Sequence, residues 1–275
     1  MLPSAFLIGV DSDGTAFDSM NIKHLDAFIP AALEIWPLPE DLAGRFAEIE
    51  KQVNLFSATR GINRFPGTLA VFEQLEKEFP GRRELPDLSD FRAYVAGEKK
   101  YSPVTLRAWL KKHPSAELEK VLAWSDRADE LFSAACEGLG PYPGVREALE
   151  EAWGKAATAV VSSAGRAGLE KDWGVNGLTP YVDFLMSQDD GSKTVQLQKA
   201  MSQCAPGVKA LLLGDTDSDG ISAHAAGAFF YPIMPGEEAA SWETFRKEVL
   251  PLFLAGKYTE AEEAKYYNRL KALLG

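Results

Sequence analysis

Two aspartates one residue apart close an apolar run near the start of the chain, Phe6-Leu-Ile-Gly-Val-Asp11-Ser-Asp13-Gly-Thr-Ala-Phe-Asp18. On a strand, residues i and i+2 share a face, so the run predicts that Asp11 and Asp13 converge while Ser12 points away. Gly14 lets the backbone turn sharply out of the strand. Paired carboxylates repel unless a cation lies between them or one keeps a proton. Either remedy is chemistry, although the same residues also occur in calcium loops and ordinary turns.

A second acidic run reads Ala210-Leu-Leu-Leu-Gly-Asp215-Thr-Asp217-Ser-Asp219-Gly-Ile-Ser-Ala-His-Ala-Ala-Gly227. Its Asp-x-Asp-x-Asp-Gly opening is that of an EF-hand, which needs an apolar eighth residue and a glutamate twelfth. Counted from Asp215, those positions hold Ser222 and Ala226, and an apolar strand precedes where a helix is required. The EF-hand is excluded. Oxygen ligands select a hard cation, and a few carboxylates with room for water and phosphate suit Mg²⁺.

Such groups work only if the fold gathers them. Short apolar runs rich in β-formers occur at Phe6–Val10, Thr158–Val161, Phe184–Met186, Ala210–Leu213 and Ala228–Tyr231. Helically spaced segments alternate with them, at Val145–Trp153, Lys193–Met201 and Ser218–Ala226. That alternation predicts an α/β fold whose doubly wound, Rossmann-like parallel sheet is covered on both faces, with ligands bound beyond the carboxyl ends of its strands. Asp11, Ser162 and Asp215 each follow such a run directly, so three strands end in polar groups at one edge.

From about Met20 to Leu139 the texture changes to successive helical patterns separated by breakers such as Pro37–Pro39, Arg60–Gly67 and Phe79–Pro86. The chain is therefore expected to divide into an α/β core, residues 1–19 and 140–275, and an inserted all-helical domain, residues 20–139. Gly140-Pro-Tyr-Pro-Gly-Val145 is a rigid connector for the return. The amphipathic tail from about Gly236, carrying Trp242, Phe245, Val249, Leu250 and Phe253, is expected to pack on the core.

The two acidic motifs, in this order, resemble those of the haloacid dehalogenase-like hydrolases: apolar strand then Asp-x-Asp-Gly-Thr, and later Gly-Asp-x-x-x-Asp. The resemblance covers about residues 5–18 and 141–231 and implies a helical cap inserted after the first motif. It further implies that Asp11 is a nucleophile that becomes an aspartyl phosphate, and that Asp13 is the general acid and base. Asp11, Asp215 and the Asp13 carbonyl would bind Mg²⁺, with Asp219 orienting metal waters or the catalytic lysine, and Asp217 second to it. Ser162 stands where the family keeps a phosphate-binding Ser or Thr, with Ser163 as its understudy. Lys193 stands where it keeps a lysine, although the usual Lys-Pro pair is Lys-Thr here and Lys199 is a fallback.

In the helical insert, Asn54, Arg60, Asn63 and Arg64 form the densest set of polar recognition groups. Lys23 and His24 follow the first motif closely enough to face a cleft. His24 stands one residue later than a histidine of sugar-phosphate mutase relatives, which counts against mutase activity. His113 and His224 read as helix or surface residues without catalytic partners. The expectation is a Mg²⁺-dependent phosphatase of a small phosphorylated metabolite. A β-phosphoglucomutase-like mutase, a phosphonate hydrolase and a non-catalytic binding module are the alternatives.

The 275-residue chain is 46% hydrophobic and 25% charged, ordinary for a globular protein. Its net charge of −11 argues against nucleic-acid and anionic-membrane partners, which need an excess of Lys and Arg. Cys136 and Cys204 are too few for a disulfide framework or a thiolate metal site. The apolar start is short, lacks a basic opening and stops at Asp11, and no apolar run approaches the ~18 residues of a membrane span, so a cytoplasmic location is expected.

Overall fold

A computed structural model describes residues 4–275. Five parallel strands, β1 (Phe6–Val10), β2 (Ala157–Val161), β3 (Phe184–Met186), β4 (Lys209–Gly214) and β5 (Phe229–Pro232), lie in the order β3-β2-β1-β4-β5. With β1 in the middle, the chain winds outward to both sides, as a doubly wound α/β fold requires. In register, Val10 lies opposite Val160 on one side and Leu213 on the other.

These strands are nearly continuous in apolar residues because both faces are covered. Ile8, Val10, Val160, Leu211, Leu213 and Tyr231 face one core with Leu149, Trp173 and Phe253. Leu7, Ala159, Val161, Leu212 and Phe230 face the other with Leu197, Ala200, Tyr267 and Leu270. Cutting a fully buried residue such as Leu213 back to alanine costs about 2–5 kcal/mol. On the second face Gly9 is a close approach, since a Cβ there would meet Leu212 Cδ1 at 3.0 Å and Leu197 Cδ1 at 3.2 Å.

By its contacts the chain divides into two compact units, residues up to Ser19 with Leu139–Gly275, and Met20–Gly138. The first holds the sheet. Its two chain crossings are tied together where Phe17 bridges Pro141, Tyr142 N–H donates to Ala16 O at 2.9 Å and the Tyr142 hydroxyl donates to Asp18 at 2.9 Å. The C-terminal segment belongs to this unit, with Trp242, Phe245, Val249 and Leu250 on one face of the sheet and Tyr267 and Leu270 on the other.

The second unit is all helical, with helices Glu40–Leu55, Arg64–Glu78, Ser89–Gly97, Pro103–Leu110 and Ala116–Ala135 around an aromatic core of Trp36, Phe46, Phe65, Phe72, Tyr94 and Trp124. Ser102 and Ser115 cap two of the helices with their side chains. A π-helical stretch, Ile22–Phe28, runs straight into helix Ile29–Ile35, and in the other unit Phe245–Val249 runs into Leu250–Leu254. In each case a proline, Pro30 or Pro251, is the second residue of the following helix. It cannot donate to the carbonyl four residues back and crowds it, and a widened turn relieves the clash. No described helix is long and apolar enough to cross a membrane.

Candidate active site

β1 ends at Val10, and the Asp11 amide still donates to Leu213 O at 3.0 Å, so Asp11 is held in line with the central strands. Beyond it the backbone turns. Gly14 takes a positive φ of 72°, its amide donates to Phe17 O, and the Ala16 and Phe17 amides both donate to Ser12 O. Ser12 does point away, since its hydroxyl accepts from Trp173 Nε1 at 3.1 Å. Trp242 Nε1 donates to Thr15 O at 2.9 Å, so two buried indoles grip this loop from different helices.

The carboxylates of Asp11, Asp215 and Asp219, all buried, offer oxygens within 4.8 Å of one another, the acid cluster able to hold a metal among the described residues. Asp13 is not part of it. Because the strand has ended, alternation no longer governs its direction, and its carboxylate accepts from Ser19 Oγ at 2.5 Å. The acid cluster thus joins Asp11 to the distant Asp215 and Asp219.

Lys193, at the start of helix Lys193–Ser202, places Nζ 2.9 Å from Asp11 Oδ2 and 2.6 Å from Asp219 Oδ1. Burial alone would push this ammonium down, but the Asp11 and Asp219 carboxylates outweigh it and hold it above a free lysine. Burial pushes the Asp11 carboxyl well above the usual carboxylate range; Lys193 draws it back in part, while Asp219 and Asp215 push it further up. Three carboxyl groups share one ammonium in this buried pocket, more negative charge than Lys193 alone balances once Asp11 ionises. A hard divalent cation with oxygen ligands matches that charge and that donor set.

Asp219 is held at both oxygens. Oδ1 takes the Lys193 ammonium, while Oδ2 accepts from Thr216 N at 3.1 Å and Thr216 Oγ1 at 2.7 Å in a reciprocal cap of helix Asp217–Ala226. Gly214 makes room for it, because a Cβ there would lie 2.6 Å from Asp219 Cγ. Asp215 accepts from Thr15 Oγ1 at 3.2 Å, tying the two acidic motifs together. Asp217 is turned elsewhere and accepts from the Tyr267 hydroxyl at 2.7 Å.

Ser162 follows β2 at the same sheet edge and is buried, its hydroxyl accepting from Ala164 N at 3.1 Å. Ser163 beside it is exposed. Lys199 donates to Asp190 O at 2.8 Å. The structure therefore brings Asp11, Asp215, Asp219 and Lys193 into one cluster, with Ser162 at the edge from which that cluster rises.

The other sequence candidates belong to the helical unit and are engaged within it. Arg64 donates to Ser125 O and Oγ, pairs with Asp129 at 2.7 Å and lies over the Phe28 ring. Asn63 caps helix Arg64–Glu78 and donates to Tyr101 O. The buried Arg60 donates to Leu55 O at 2.8 Å. His24 is buried, its Nδ1 2.7 Å from Glu50 Oε1, and Asn54 donates to the same oxygen at 3.2 Å. Lys23 lies over the Phe132 ring. His224 pairs with the buried Glu263, away from the acid cluster.

Sequence reasoning missed Thr15, Thr216, Trp173, Trp242 and Gln196, whose contacts with the site span up to 227 residues. Thr216 carried a local signal, the Thr-x-x-Asp spacing of a capping box, and Thr15 closes the Asp-x-Asp-Gly-Thr run.

The family model described as "Haloacid dehalogenase-like hydrolase" matches residues 98–233, from the last helices of the helical unit through β5. Over that stretch, just under half of the chain, the sequence is that of a haloacid dehalogenase-like hydrolase. Similar structures agree on the fold. A conserved haloacid dehalogenase-like protein of unknown function from Agrobacterium tumefaciens shares 18% identity, covering 91% of this chain and 97% of that one, with a TM-score of 0.53. A protein provisionally described as a phosphoglycolate phosphatase from Lactobacillus plantarum shares 18% identity over 92% of this chain and 100% of its own, with a TM-score of 0.50. A haloacid dehalogenase-like hydrolase from Streptococcus pneumoniae shares 16% over 90% and 99%, with a TM-score of 0.50. No curated protein matches the sequence. A match to a hydrolase family model and a doubly wound α/β core thus coincide in this chain.

Proposed function

We propose that this hydrolase is a Mg²⁺-dependent phosphatase of a small phosphorylated metabolite, working through an aspartyl phosphate on Asp11. The observation that carries the reading is the Lys193 ammonium held between Asp11 and Asp219, at 2.9 and 2.6 Å, in a buried cluster with excess negative charge. Asp11, Asp215 and the Asp13 carbonyl would hold Mg²⁺. Asp219, engaged at both oxygens, anchors the lysine instead. When bound, the metal supplies positive charge to the phosphoryl oxygens and favours the ionised form of Asp11.

An Asp11 oxygen attacks phosphorus as the bond to the leaving alkoxide breaks, and Asp13 gives that alkoxide its proton. Asp13 then takes a proton from water. The resulting hydroxide attacks the acyl phosphate at phosphorus, releasing inorganic phosphate and restoring Asp11. Lys193 offsets charge on the non-bridging oxygens throughout, and the Ser162 hydroxyl hydrogen-bonds one of them. For recognition beyond the phosphoryl group, Ser163 is exposed beside Ser162. Arg60, Asn63 and Arg64 have the local employment described above, which supports a structural role for them.

The test is a screen of phosphorylated sugars, small phosphorylated acids and nucleotides, with inorganic phosphate as the readout in Mg²⁺ and in chelator. Phosphate release that stops in chelator is expected. Isomerised sugar phosphate without free phosphate would establish a mutase instead. Silence across the panel would point to a binding module.

A further inference from the structure

Gln196 is fully buried three residues after Lys193, on the same side of the same helix. Its Nε2 lies 2.9 Å from Ser162 O, 2.7 Å from Ser187 O and 2.9 Å from Gly191 O. These carbonyls come from three separate segments: the end of β2, the residue after β3 and the turn that leads into Lys193. Its Oε1 is buried without a hydrogen-bond partner.

That imbalance is informative. Leaving a buried carbonyl oxygen unsatisfied is unfavourable, and a methionine of similar shape would fill the space without the penalty. Packing therefore does not explain a glutamine here, whereas its donor end does. Gly191 adds to the case with φ 111° and ψ −162°, a region open essentially to glycine alone. A Cβ there would also lie 3.1 Å from Val195 Cγ1. The turn into Lys193 is thus an unusual one, and the Gln196 amide holds its carbonyl in place.

We infer that Gln196 is a positioning residue: its amide group clamps the Ser162, Ser187 and Gly191 carbonyls, so that Ser162 and Lys193 address one phosphoryl group. The link to phosphoryl chemistry rests on the proposed phosphatase function; the clamp itself does not. Two N–H bonds shared among three carbonyls fix the separation of two segments that are 31 residues apart in sequence, counted from Ser162 to Lys193. Displacements of about 1 Å in such groups cost on the order of a hundredfold in rate.

The full-length protein is compared with Gln196→Met and Gln196→Glu. In the wild type, NMR should show the Gln196 side-chain amide protons exchanging slowly with solvent; rapid exchange would overturn the clamp without any variant. In Gln196→Met, backbone amides of residues 162–165 and 187–193 should exchange at least about tenfold faster while those of Met20–Gly138 keep their rates. With p-nitrophenyl phosphate, kcat should fall about ten- to hundredfold with a smaller change in KM. Gln196→Glu should be worse near neutral pH, where a carboxylate faces three carbonyls, and its deficit should shrink as pH falls and the acid regains a donor. Unchanged exchange in Gln196→Met, or a Gln196→Glu deficit independent of pH, would overturn the inference. If the wild type cleaves no phosphate ester, the phosphatase reading fails, and the exchange measurements still decide the clamp.

Discussion

In the α/β unit, Asp11, Lys193, Asp215 and Asp219 hold opposite and like charges together in a buried pocket. In the helical unit the ion pairs Arg45–Glu78, Arg82–Asp41, Arg92–Glu73 and Arg127–Glu34 lie on the surface, over an apolar core of aromatic rings. Surface pairs are solvated and screened, so each adds little to stability. A buried cluster with unbalanced charge is costly, and a packed apolar replacement would often be more stable. Charge placement therefore separates a unit shaped for chemistry from one shaped chiefly by packing. The helical unit has its own buried polar group, His24 with Glu50 and Asn54, but there a single carboxyl group is hydrogen-bonded by its neighbours.

The contrast breaks first at Asp11. Asp11→Asn should lower kcat on p-nitrophenyl phosphate by about four orders of magnitude, with far-UV circular dichroism unchanged. Wild-type turnover in this variant would remove the nucleophile. Ser162→Ala should cost less, about ten- to a hundredfold in kcat, because one neutral hydrogen bond to a phosphoryl oxygen is lost while Lys193 remains.

A stability measurement sharpens the comparison without activity. Folding raises the Asp11 pKa, so between its ordinary and raised values the folded protein binds more protons than the unfolded chain. Stability must then fall as pH rises through that window. In chelator, the Tm difference between Asp11→Asn and the wild type should therefore grow in favour of the variant as pH rises. Added Mg²⁺ should stabilise the wild type and not the variant. A Tm difference that is flat with pH would contradict the burial argument.

The smallest effect on turnover is expected in the helical unit. Arg64→Ala removes hydrogen bonds to Ser125 and the pair with Asp129, which should lower stability by about 1–2 kcal/mol and Tm by a few degrees. Its kcat and KM should stay within about twofold of wild type. A large rise in KM at unchanged Tm would make Arg64 a substrate contact and blur the line between the units.

How far the site could be read in advance differs from residue to residue. Asp11 and Asp215 were legible because each closes a run of buried β-formers, and parallel strands deliver their ends to one edge. Asp217 and Asp219 stand two apart in one acidic run and were separated only by motif spacing. The fold decides them physically: Gly214 leaves room for Asp219 beside Lys193, and Tyr267 claims Asp217. Arg60, Asn63 and Arg64 look like recognition groups because composition records polarity and says nothing about partners. Gln196 gave no signal, since one glutamine in an amphipathic helix reads as surface.

Local periodicity and breaker residues, which depend on neighbours a few positions away, determined the strands, the helical insertion and the carboxylates at the strand ends. Tertiary structure decided which of those carboxylates share a pocket, which lysine answers them, and where each arginine and histidine finds its partner. The physical reason is range: the bond from Thr15 to Asp215 closes over 200 residues, and no period within one helix or strand encodes it.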